Sequence, residues 1–330
     1  MKTQRTHSST AIITAIMISM FVAATAFGME IQFQYRLANF DGIVSSLWAR
    51  LALDKETTEL YALDRHEREV RIFNEAAMEV FAIGEDVELA GADDIALGEE
   101  GTLYVVYGNS PEHTVLKLNY KGEEVGHLRL SGVPEELMPF HPDHVEYLDN
   151  RLYLADSNDL SIIIVEADGR FLKGYRLPAL LQQNAEKLAL NVEDGQLKDD
   201  RQIPASFGGF CVDQQGAMYF TVPAMFAAFR LSADGELQGF GQPGSAAGKF
   251  GVVGGIGTDG AGNLYIADRL RCVVLIFDRN FTFLKEFGYR GSRPGSLIVP
   301  DDVVVDDARG TVYVSQAANR GVSVYKLIFN

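Results

Sequence analysis

The feature that most constrains the fold of this chain is an internal repeat, and its clearest copy spans residues 255–288. This copy contains four short runs of apolar and β-branched residues, which are separated by glycine, aspartate and asparagine. The runs are Ile256–Asp259, Leu264–Asp268, Cys272–Asp278 and Phe281–Phe287. Runs of this kind, bounded by turn residues, are typical of β-strands. Four strands in a repeat of about 45 to 50 residues indicate a β-propeller blade, which must stack on its neighbours to bury both faces.

A tyrosine at one fixed position of the repeat marks six copies along the chain. Successive copies are 43 to 49 residues apart, except for one interval of 66 residues. In four copies a glycine turn joins the run before the tyrosine to the run that contains it, at Gly101, Gly216, Gly262 and Gly310. The six tyrosines are Tyr61, Tyr104, Tyr153, Tyr219, Tyr265 and Tyr313. We therefore predict an all-β chain that folds as a six-bladed β-propeller of four-stranded antiparallel blades.

The two ends of the repeat region predict how the ring closes. The last copy stops after its third run, Val322–Ile328, and has no fourth run. Near the N-terminus, Ile31–Leu37 alternates between apolar and polar residues and belongs to no copy. We predict that this strand pairs with the third strand of the last blade and becomes its outer strand. Backbone hydrogen bonds then join the two ends of the chain, so the ring has no open seam.

The first 26 residues do not follow the repeat. Lys2, Arg5 and His7 precede an apolar run, Ala11–Ala26, that ends in the sequence A-T-A. A basic start, a short apolar core and a small-residue cleavage site are typical of a secretory signal peptide. We predict that residues 1–26 are removed, that 27–330 is a single propeller domain, and that the protein is periplasmic or secreted without membrane insertion. The alternative is an uncleaved anchor, although the run is shorter than the ~20 apolar residues of a spanning helix.

The charge of the chain narrows the choice of partners. The formal net charge is −16, and removal of Lys2 and Arg5 with the predicted signal peptide lowers it to −18. Nucleic-acid binding requires a basic surface, so the composition argues against a nucleic-acid partner. Basic proteins and metal cations are better matched to an acidic protein. The alternative reading of the charge is that it serves solubility only.

Several motifs of the chain resemble NHL repeats. The resemblance rests on Phe287–Gly295 (F-G-x-x-G-S-x-x-G), Pro300–Asp306 (P-D-D-V-V-V-D), Gly262–Asp268 (G-N-L-Y-I-A-D), Val274–Asp278 (V-L-I-F-D) and Asn150–Asp156 (N-R-L-Y-L-A-D). The resemblance implies a six-bladed propeller. Members of that family include binding modules, RNA-binding domains and lyases, so the fold leaves the function open.

The residues that lead into the first strand of each blade are the candidate site. The loops that enter first strands and the loops that follow second strands are predicted to share one face of the ring, which we call the mouth face. Carboxylates and histidine are ligands for Ca²⁺ and Zn²⁺. We predict candidate metal ligands at Asp93, Asp143, His144 and Asp302, and candidate ligand-binding residues at Arg50, Asp94 and His141.

Two observations limit the metal interpretation. Lyases of the NHL family place metal-binding histidines after proline, whereas aspartate follows Pro142 and Pro300 here. Aspartates at loop-to-strand junctions also cap backbone amides without binding anything. A second group of aspartates ends the second strands of three blades, and we predict that they brace the following turn. These are Asp64, Asp156 and Asp268.

The interval of 66 residues contains an insertion, 178–206, before the fourth blade. Leu180–Leu190 has a partly helical pattern, and Asp194-Gly195 between two alternating runs predicts a hairpin over Leu188–Gln202. Long loops in compact domains are often functional. We predict that this segment acts as a lid or docking element and that replacing Leu180–Arg201 leaves the fold intact.

The sequence supports two functions. The first is an exported NHL-type propeller that binds a protein or a small ligand as part of the cell envelope or extracellular space, with no catalytic residues. The alternative is a metal-dependent lyase-like or lactonase-like enzyme with its site at the channel mouth. A catalytic propeller requires several ligands within metal-bond distance, whereas a binding module requires only an accessible surface.

Overall fold

A computed structural model describes residues 28–39, 42–44, 46–84, 87, 89–109, 115–184, 192–193, 196–197, 206–318 and 320–329. The predicted signal peptide lies outside the described residues. Within the described ranges, no helix has both the length and the hydrophobicity needed to cross a membrane.

The chain begins with three strands, β1 (Met29–Arg36), β2 (Ala38–Asn39) and β3 (Gly42–Ile43). Blade 1 contains β4 (Arg50–Leu53), β5 (Leu60–Asp64), β6 (Glu69–Phe73) and β7 (Glu79–Ile83). Blade 2 contains β8 (Asp94–Leu97), β9 (Leu103–Val106), β10 (Val115–Leu118) and β11 (Glu124–His127). Blade 3 contains β12 (His144–Leu148), β13 (Arg151–Asp156), β14 (Ser161–Glu166) and β15 (Phe171–Arg176).

Between blades 3 and 4 lie the helix α1 (Leu177–Gln183) and the hairpin strands β16 (Val192–Glu193) and β17 (Gln196–Leu197). Blade 4 contains β18 (Gly209–Val212), β19 (Met218–Val222), β20 (Ala227–Leu231) and β21 (Leu237–Phe240). Blade 5 contains β22 (Val253–Thr258), β23 (Leu264–Asp268), β24 (Val273–Phe277) and β25 (Phe283–Gly288). Blade 6 contains β26 (Pro300–Asp306), β27 (Thr311–Gln316) and β28 (Val322–Phe329), together with β1. Short 3₁₀ turns occur at Glu99–Gly101, Glu135–Leu137 and Pro223–Met225.

The described residues thus form six four-stranded antiparallel sheets, and the first strand of each sheet contacts the first strands of its two neighbours. This confirms the predicted six-bladed β-propeller. The first strands surround the axis and the fourth strands form the rim. The four turn glycines of the sequence pattern have positive φ angles between 53° and 81°. Glycine adopts this left-handed conformation without steric cost, which explains why it recurs in the turn between first and second strands.

The core lies between the blades rather than within one of them. Each of the six repeat tyrosines lies in the second strand of its blade and is at most 6% exposed. Tyr61 of blade 1 packs with Leu103 and Val105 of blade 2, and Tyr313 of blade 6 packs with Leu51 of blade 1. The repeat therefore encodes interfaces between neighbouring blades, since a single blade has no second layer to cover it.

The sixth blade is completed by the N-terminal strand. β1 pairs antiparallel with β28, from Met29 opposite Phe329 to Arg36 opposite Ser323. This confirms the predicted closure, with the strand starting two residues earlier than expected. The side chains of Ile31 and Phe33 face inward and pack on the core between blades 5 and 6.

The insertion is only partly a surface feature. Leu177 and Leu181 of α1 are buried in the core between blades 3 and 4, and Leu180 packs against them. The expectation that Leu180–Arg201 could be replaced without loss is therefore wrong for its first residues, because removal of Leu181 would leave a cavity. The predicted hairpin is confirmed by the pairs Val192–Leu197 and Glu193–Gln196. Residues 185–191, 194–195 and 198–205 lie outside the described residues, so the lid remains a prediction.

We expect deletion of residues 29–36 to lower the melting temperature by about 10 °C. The deletion exposes apolar surface worth a few kcal/mol, and each kcal/mol corresponds to about 2–4 °C for a large domain. The matched control is Gln32→Ser with Gln34→Ser, since both side chains face solvent. Thermal unfolding followed by circular dichroism measures both variants. An unchanged midpoint for the deletion would contradict the closure described above.

Candidate functional site

A cavity of about 1000 Å³ occupies the axis of the ring. Its walls are first strands, and it extends to the turns that join first and second strands, where Lys55, Glu56 and Glu99 are exposed. We call the surface formed by these turns the turn face. At the other end the cavity stops at the buried side chains of Arg50 and His144. The cavity therefore opens on the turn face, opposite the mouth face where the sequence placed the site.

The inner end of the cavity is a ring of equivalent first-strand positions. Four of the six blades supply a polar side chain and two supply glycine, in the order Arg50, Asp94, His144, Gly209, Gly255 and Asp302. A Cβ at Gly209 would lie 2.4 Å from the Cα of Gly255, so the backbones approach too closely for any side chain there. Glycine at these positions brings blades 4 and 5 together and leaves the polar groups on the other side of the ring.

Two carboxylates of this ring connect neighbouring blades. Oδ2 of Asp94 accepts a hydrogen bond from the backbone N–H of Val145 in blade 3 at 3.1 Å. Oδ2 of Asp302 accepts one from the backbone N–H of Leu51 in blade 1 at 2.9 Å. Charge-assisted hydrogen bonds of this kind are stronger than those between neutral groups. Asp94 and Asp302 therefore hold the inner strands of adjacent blades in register.

The Arg50 guanidinium is the charge that balances this end of the cavity. Burial alone lowers the pKa of Arg50, but the carboxylates of Asp301, Asp302, Asp94 and Asp143 outweigh burial and raise it. Arg50 is 8% exposed, and its Nε has no hydrogen-bond partner among the described residues. A buried cation and several carboxylates compensate one another here, since each alone would be costly in a low-dielectric site.

Burial also changes the acidity of the carboxyl groups in the cavity. It raises the pKa of Asp94 to about 6, although Arg50 and His144 oppose the shift. It raises the pKa of Glu146 to about 8, an effect that Asp94 and Asp302 strengthen and Lys55 opposes. Glu146 is therefore mostly protonated at neutral pH and becomes charged when a cation approaches it. Glu146 is not among the residues predicted from the sequence, although its place two residues after His144 on β12 puts both side chains on one face of the strand.

Two aspartates of the mouth face, Asp93 and Asp301, have arginine partners. Asp93 forms an ion pair with Arg65 at 2.6 Å, and Asp301 forms one with Arg269 at 2.5 Å. Both arginines were missed, although each directly follows an aspartate that ends a second strand, Asp64 or Asp268. These pairs join blade 1 to blade 2 and blade 5 to blade 6. Arg65 therefore supplies Asp93 with the counter-charge that was expected from a metal or a basic partner.

His144 forms a pair with its neighbour in the chain. Its Nδ1 lies 3.0 Å from Oδ1 of Asp143, which also accepts the backbone N–H of Ser157 at 3.2 Å. The Nε2 atom is buried and has no hydrogen-bond partner in the described part of the chain. His144 lines the cavity whereas Asp143 does not. The pair therefore fixes the ring of His144 at the inner end of the cavity, with Nε2 buried.

The predicted site residues separate into two groups. Four of them line the inner end of the cavity, namely Arg50, Asp94, His144 and Asp302. Three lie outside the lining, on the mouth-face side, namely Asp93, His141 and Asp143. Among the described residues, no three histidine, cysteine, aspartate or glutamate side chains are grouped closely enough to hold a metal ion. The assignment of Ca²⁺ or Zn²⁺ to these residues stays a prediction.

The aspartates that end second strands are structural, as predicted. Oδ1 of Asp268 accepts the backbone N–H groups of Leu270 and Arg271 in the following turn. Its Oδ2 accepts the N–H of Gly251, in the loop before the first strand of the same blade. Asp64 bonds the turn at His66, and Asp156 bonds the loop before β12 at His141. Each of these buried carboxylates fastens two loops of the mouth face together.

Comparison with known proteins identifies the fold. No protein-family model and no curated protein sequence matches the chain. Virginiamycin B lyase from Staphylococcus aureus is similar in structure, with a TM-score of 0.58, 11% identity and coverage of 92% of this chain and 100% of that chain. A gluconolactonase from Xanthomonas campestris has a TM-score of 0.58 and 12% identity, covering 91% and 90% of the two chains. The calcium-binding protein regucalcin from Agrobacterium tumefaciens has a TM-score of 0.59 and 14% identity, covering 89% and 93%.

Structural similarity at sequence identities this low establishes the propeller fold but no activity. The three proteins include a lyase, a lactonase and a calcium-binding protein, so the same fold carries different activities. The resemblance to NHL repeats stays a prediction, because no family model supports it.

We expect Arg50→Met to destabilise the protein by about 3 kcal/mol at pH 7.5, because it leaves buried carboxylates without their cation. The loss should shrink at pH 5. Without Arg50, the folded-state pKa values of Asp94 and Asp302 rise further above their unfolded values. The folded state then binds extra protons as the pH falls through those raised values, and its stability recovers.

Urea unfolding at pH 7.5 and pH 5 measures this effect. The control is Arg65→Met, which removes an ion pair whose arginine side chain is 47% exposed. Loss of such a pair should cost less than about 1 kcal/mol. An equal cost for Arg50→Met at both pH values would show that Arg50 does not compensate these carboxylates.

Proposed function

We propose that this protein is an exported binding module of the NHL type, which takes a basic segment of a partner protein into its acidic cavity from the turn face. One observation carries this proposal. In the part of the chain that the structure describes, the cavity lining contains one arginine, one lysine and eight carboxylic acids, Asp54, Glu56, Glu59, Asp94, Glu99, Glu100, Glu146 and Asp302. A concave site of this size and charge favours a cationic ligand.

The distribution of the counter-charges supports the choice of face. On the mouth face, Asp93 and Asp301 are paired with arginines of the same chain. On the turn face, Glu56, Glu99 and Glu100 stand at the rim and are exposed. A carboxylate that already has an internal partner gains little from a ligand, whereas one without a close cation gains more. The turn face is therefore the better docking surface for a basic partner.

The bonding of the inner carboxylates favours binding over catalysis. Asp94 and Asp302 accept backbone hydrogen bonds that connect blades. Groups that hold the ring together are poorly suited to exchange protons with a substrate. Glu146, in contrast, has a raised pKa and lies on the cavity wall. It is the group best placed to ionise when a lysine or arginine side chain enters.

Export is part of the same proposal. The basic start and apolar run of residues 1–26 support a cleaved signal peptide. The partner would then be a protein of the periplasm, the cell envelope or the extracellular space. N-terminal sequencing of the protein from the envelope fraction distinguishes cleavage near Phe27 from an intact Met1.

We expect tetralysine, acetylated at its N-terminus, to bind about sixfold more tightly at pH 8.5 than at pH 6.5. Glu146 is largely neutral below its pKa of about 8 and charged above it. Asp94, Asp302 and Lys55 are the charged groups that face it. A lysine ammonium that lowers this pKa by about one unit gains tenfold in affinity once Glu146 is ionised.

Isothermal titration calorimetry at both pH values measures this difference. In Glu146→Gln the affinity should be independent of pH over this range and about tenfold weaker than wild type at pH 8.5. The matched control is Glu124→Gln on the exposed outer strand β11, which should behave as wild type. Failure of tetralysine to bind, or equal binding by Glu146→Gln, would contradict the proposed function.

A further inference from the structure

The cavity is not confined to the axis. Its lining continues outward along the turn face between blades 1 and 2. One wall of this extension is formed by Tyr61, Ile72 and Phe81 of blade 1, and the other by Gly98, Gly101 and Tyr120 of blade 2. We call this extension the interblade groove. It crosses the turn face from the first strands at the axis to β7 at the rim.

A glycine lets the turn after β8 approach the outer end of the groove closely. A Cβ at Gly101 would lie 2.8 Å from Cβ of Tyr120. Gly101 also has a φ of +70°, which disfavours other residues. A larger residue at Gly101 would therefore displace Tyr120.

The chemistry of the lining changes along the groove. Near the axis, where the cavity opens on the turn face, the lining is acidic and includes Glu59 and Glu99. At the outer end it is apolar and exposed, since Val80 is 51%, Phe81 is 48% and Tyr120 is 63% exposed. Apolar side chains are common on protein surfaces, but these three belong to the same concave lining as the carboxylates. An occupant of the whole cavity must therefore carry positive charge at one end and an apolar group at the other.

We propose that the interblade groove binds an aromatic or large apolar side chain of the same basic segment, so that the protein recognises a short extended peptide with lysines or arginines at one end and an aromatic residue at the other. This inference rests on the proposed function. The continuous lining supports a single occupant, and the change from carboxylates to exposed rings gives the order of its groups. The partner's segment lies across the turn face with its basic side chain at Glu146.

The width of a blade sets the spacing within this peptide. The groove crosses from the first to the fourth strand, which is three strand spacings of about 4.8 Å each, or about 14 Å. An extended chain advances about 3.3 Å per residue. The aromatic residue should therefore follow or precede the basic residue in the cavity by about four or five positions.

The test compares three acetylated peptides by isothermal titration calorimetry on the wild-type protein. The peptides are tetralysine, Lys-Lys-Lys-Lys-Phe and Phe-Lys-Lys-Lys-Lys, which cover both chain directions. One of the two phenylalanine peptides should bind about tenfold more tightly than tetralysine, the gain expected when an aromatic ring packs on Phe81 and Tyr120. Phe81→Ala with Tyr120→Ala should remove this gain and leave the affinity for tetralysine unchanged.

The control variant is Leu284→Ala, which removes a similarly exposed apolar side chain from β25 outside the cavity lining. It should keep the full gain. Tyr120→Ala alone, at a side chain that is 63% exposed, should lose part of the gain without loss of stability. This single variant keeps the test valid if the double variant folds poorly.

Three outcomes would overturn the inference. The gain could persist in Phe81→Ala with Tyr120→Ala, or neither phenylalanine peptide could exceed tetralysine. Spermine could also bind as tightly as the better phenylalanine peptide, which would indicate a small polyamine as the occupant. If tetralysine still binds in a way that depends on Glu146, only this inference fails and the proposed function stands. If tetralysine does not bind, or binds without Glu146, both the proposed function and this inference fail.

Discussion

The packing of blades 6, 1, 2 and 3 at the axis depends on the charge balance around the Arg50 guanidinium. Arg50 is buried at the axis, and Asp94 of blade 2 and Asp302 of blade 6 belong to the two blades on either side of it. The same two carboxylates bond to backbone amides of the next blade in the ring. The buried Arg50 guanidinium therefore allows the buried carboxylates of Asp94 and Asp302 to connect inner strands. Blades 4 and 5 have glycine at the equivalent positions, and their backbones approach each other directly.

The two faces of the ring use their acidic side chains differently. On the mouth face, Asp93 and Asp301 pair with arginines of the neighbouring blade, and Asp268 fastens two loops together. On the turn face, Arg309 pairs with Asp306, whereas Glu56 and Glu100 at the rim of the cavity are exposed. Burial and the nearby Asp94 and Asp302 raise the pKa of Glu146, because they disfavour a further negative charge at the axis.

Much of this fold could be predicted from the sequence, because the propeller repeats one local pattern. The period of the tyrosines gave the six interfaces, and the missing fourth run predicted the pairing of β1 with β28. The same period predicted that the residues leading into the first strands would converge at one end of the channel. Of these, Arg50, Asp94, His144 and Asp302 line the inner end of the cavity, whereas Asp93, His141 and Asp143 do not. The open face of the cavity could not be predicted, because it depends on side-chain packing across the axis. The roles of Arg65, Arg269 and Glu146 were missed for the same reason, since each depends on a contact with another blade or on burial at the axis.

A crystal structure of the protein with Lys-Lys-Lys-Lys-Phe or Phe-Lys-Lys-Lys-Lys, whichever binds more tightly, would show directly whether the acidic cavity binds a basic peptide. We expect a lysine Nζ within about 4 Å of the Glu146 carboxylate, the distance of a close ion pair. We also expect the peptide to enter from the turn face and to leave the ion pairs of Arg65 and Arg269 intact. A peptide bound on the mouth face, or one whose lysines contact neither Glu146 nor the carboxylates around it, would show that the cavity is not the binding site.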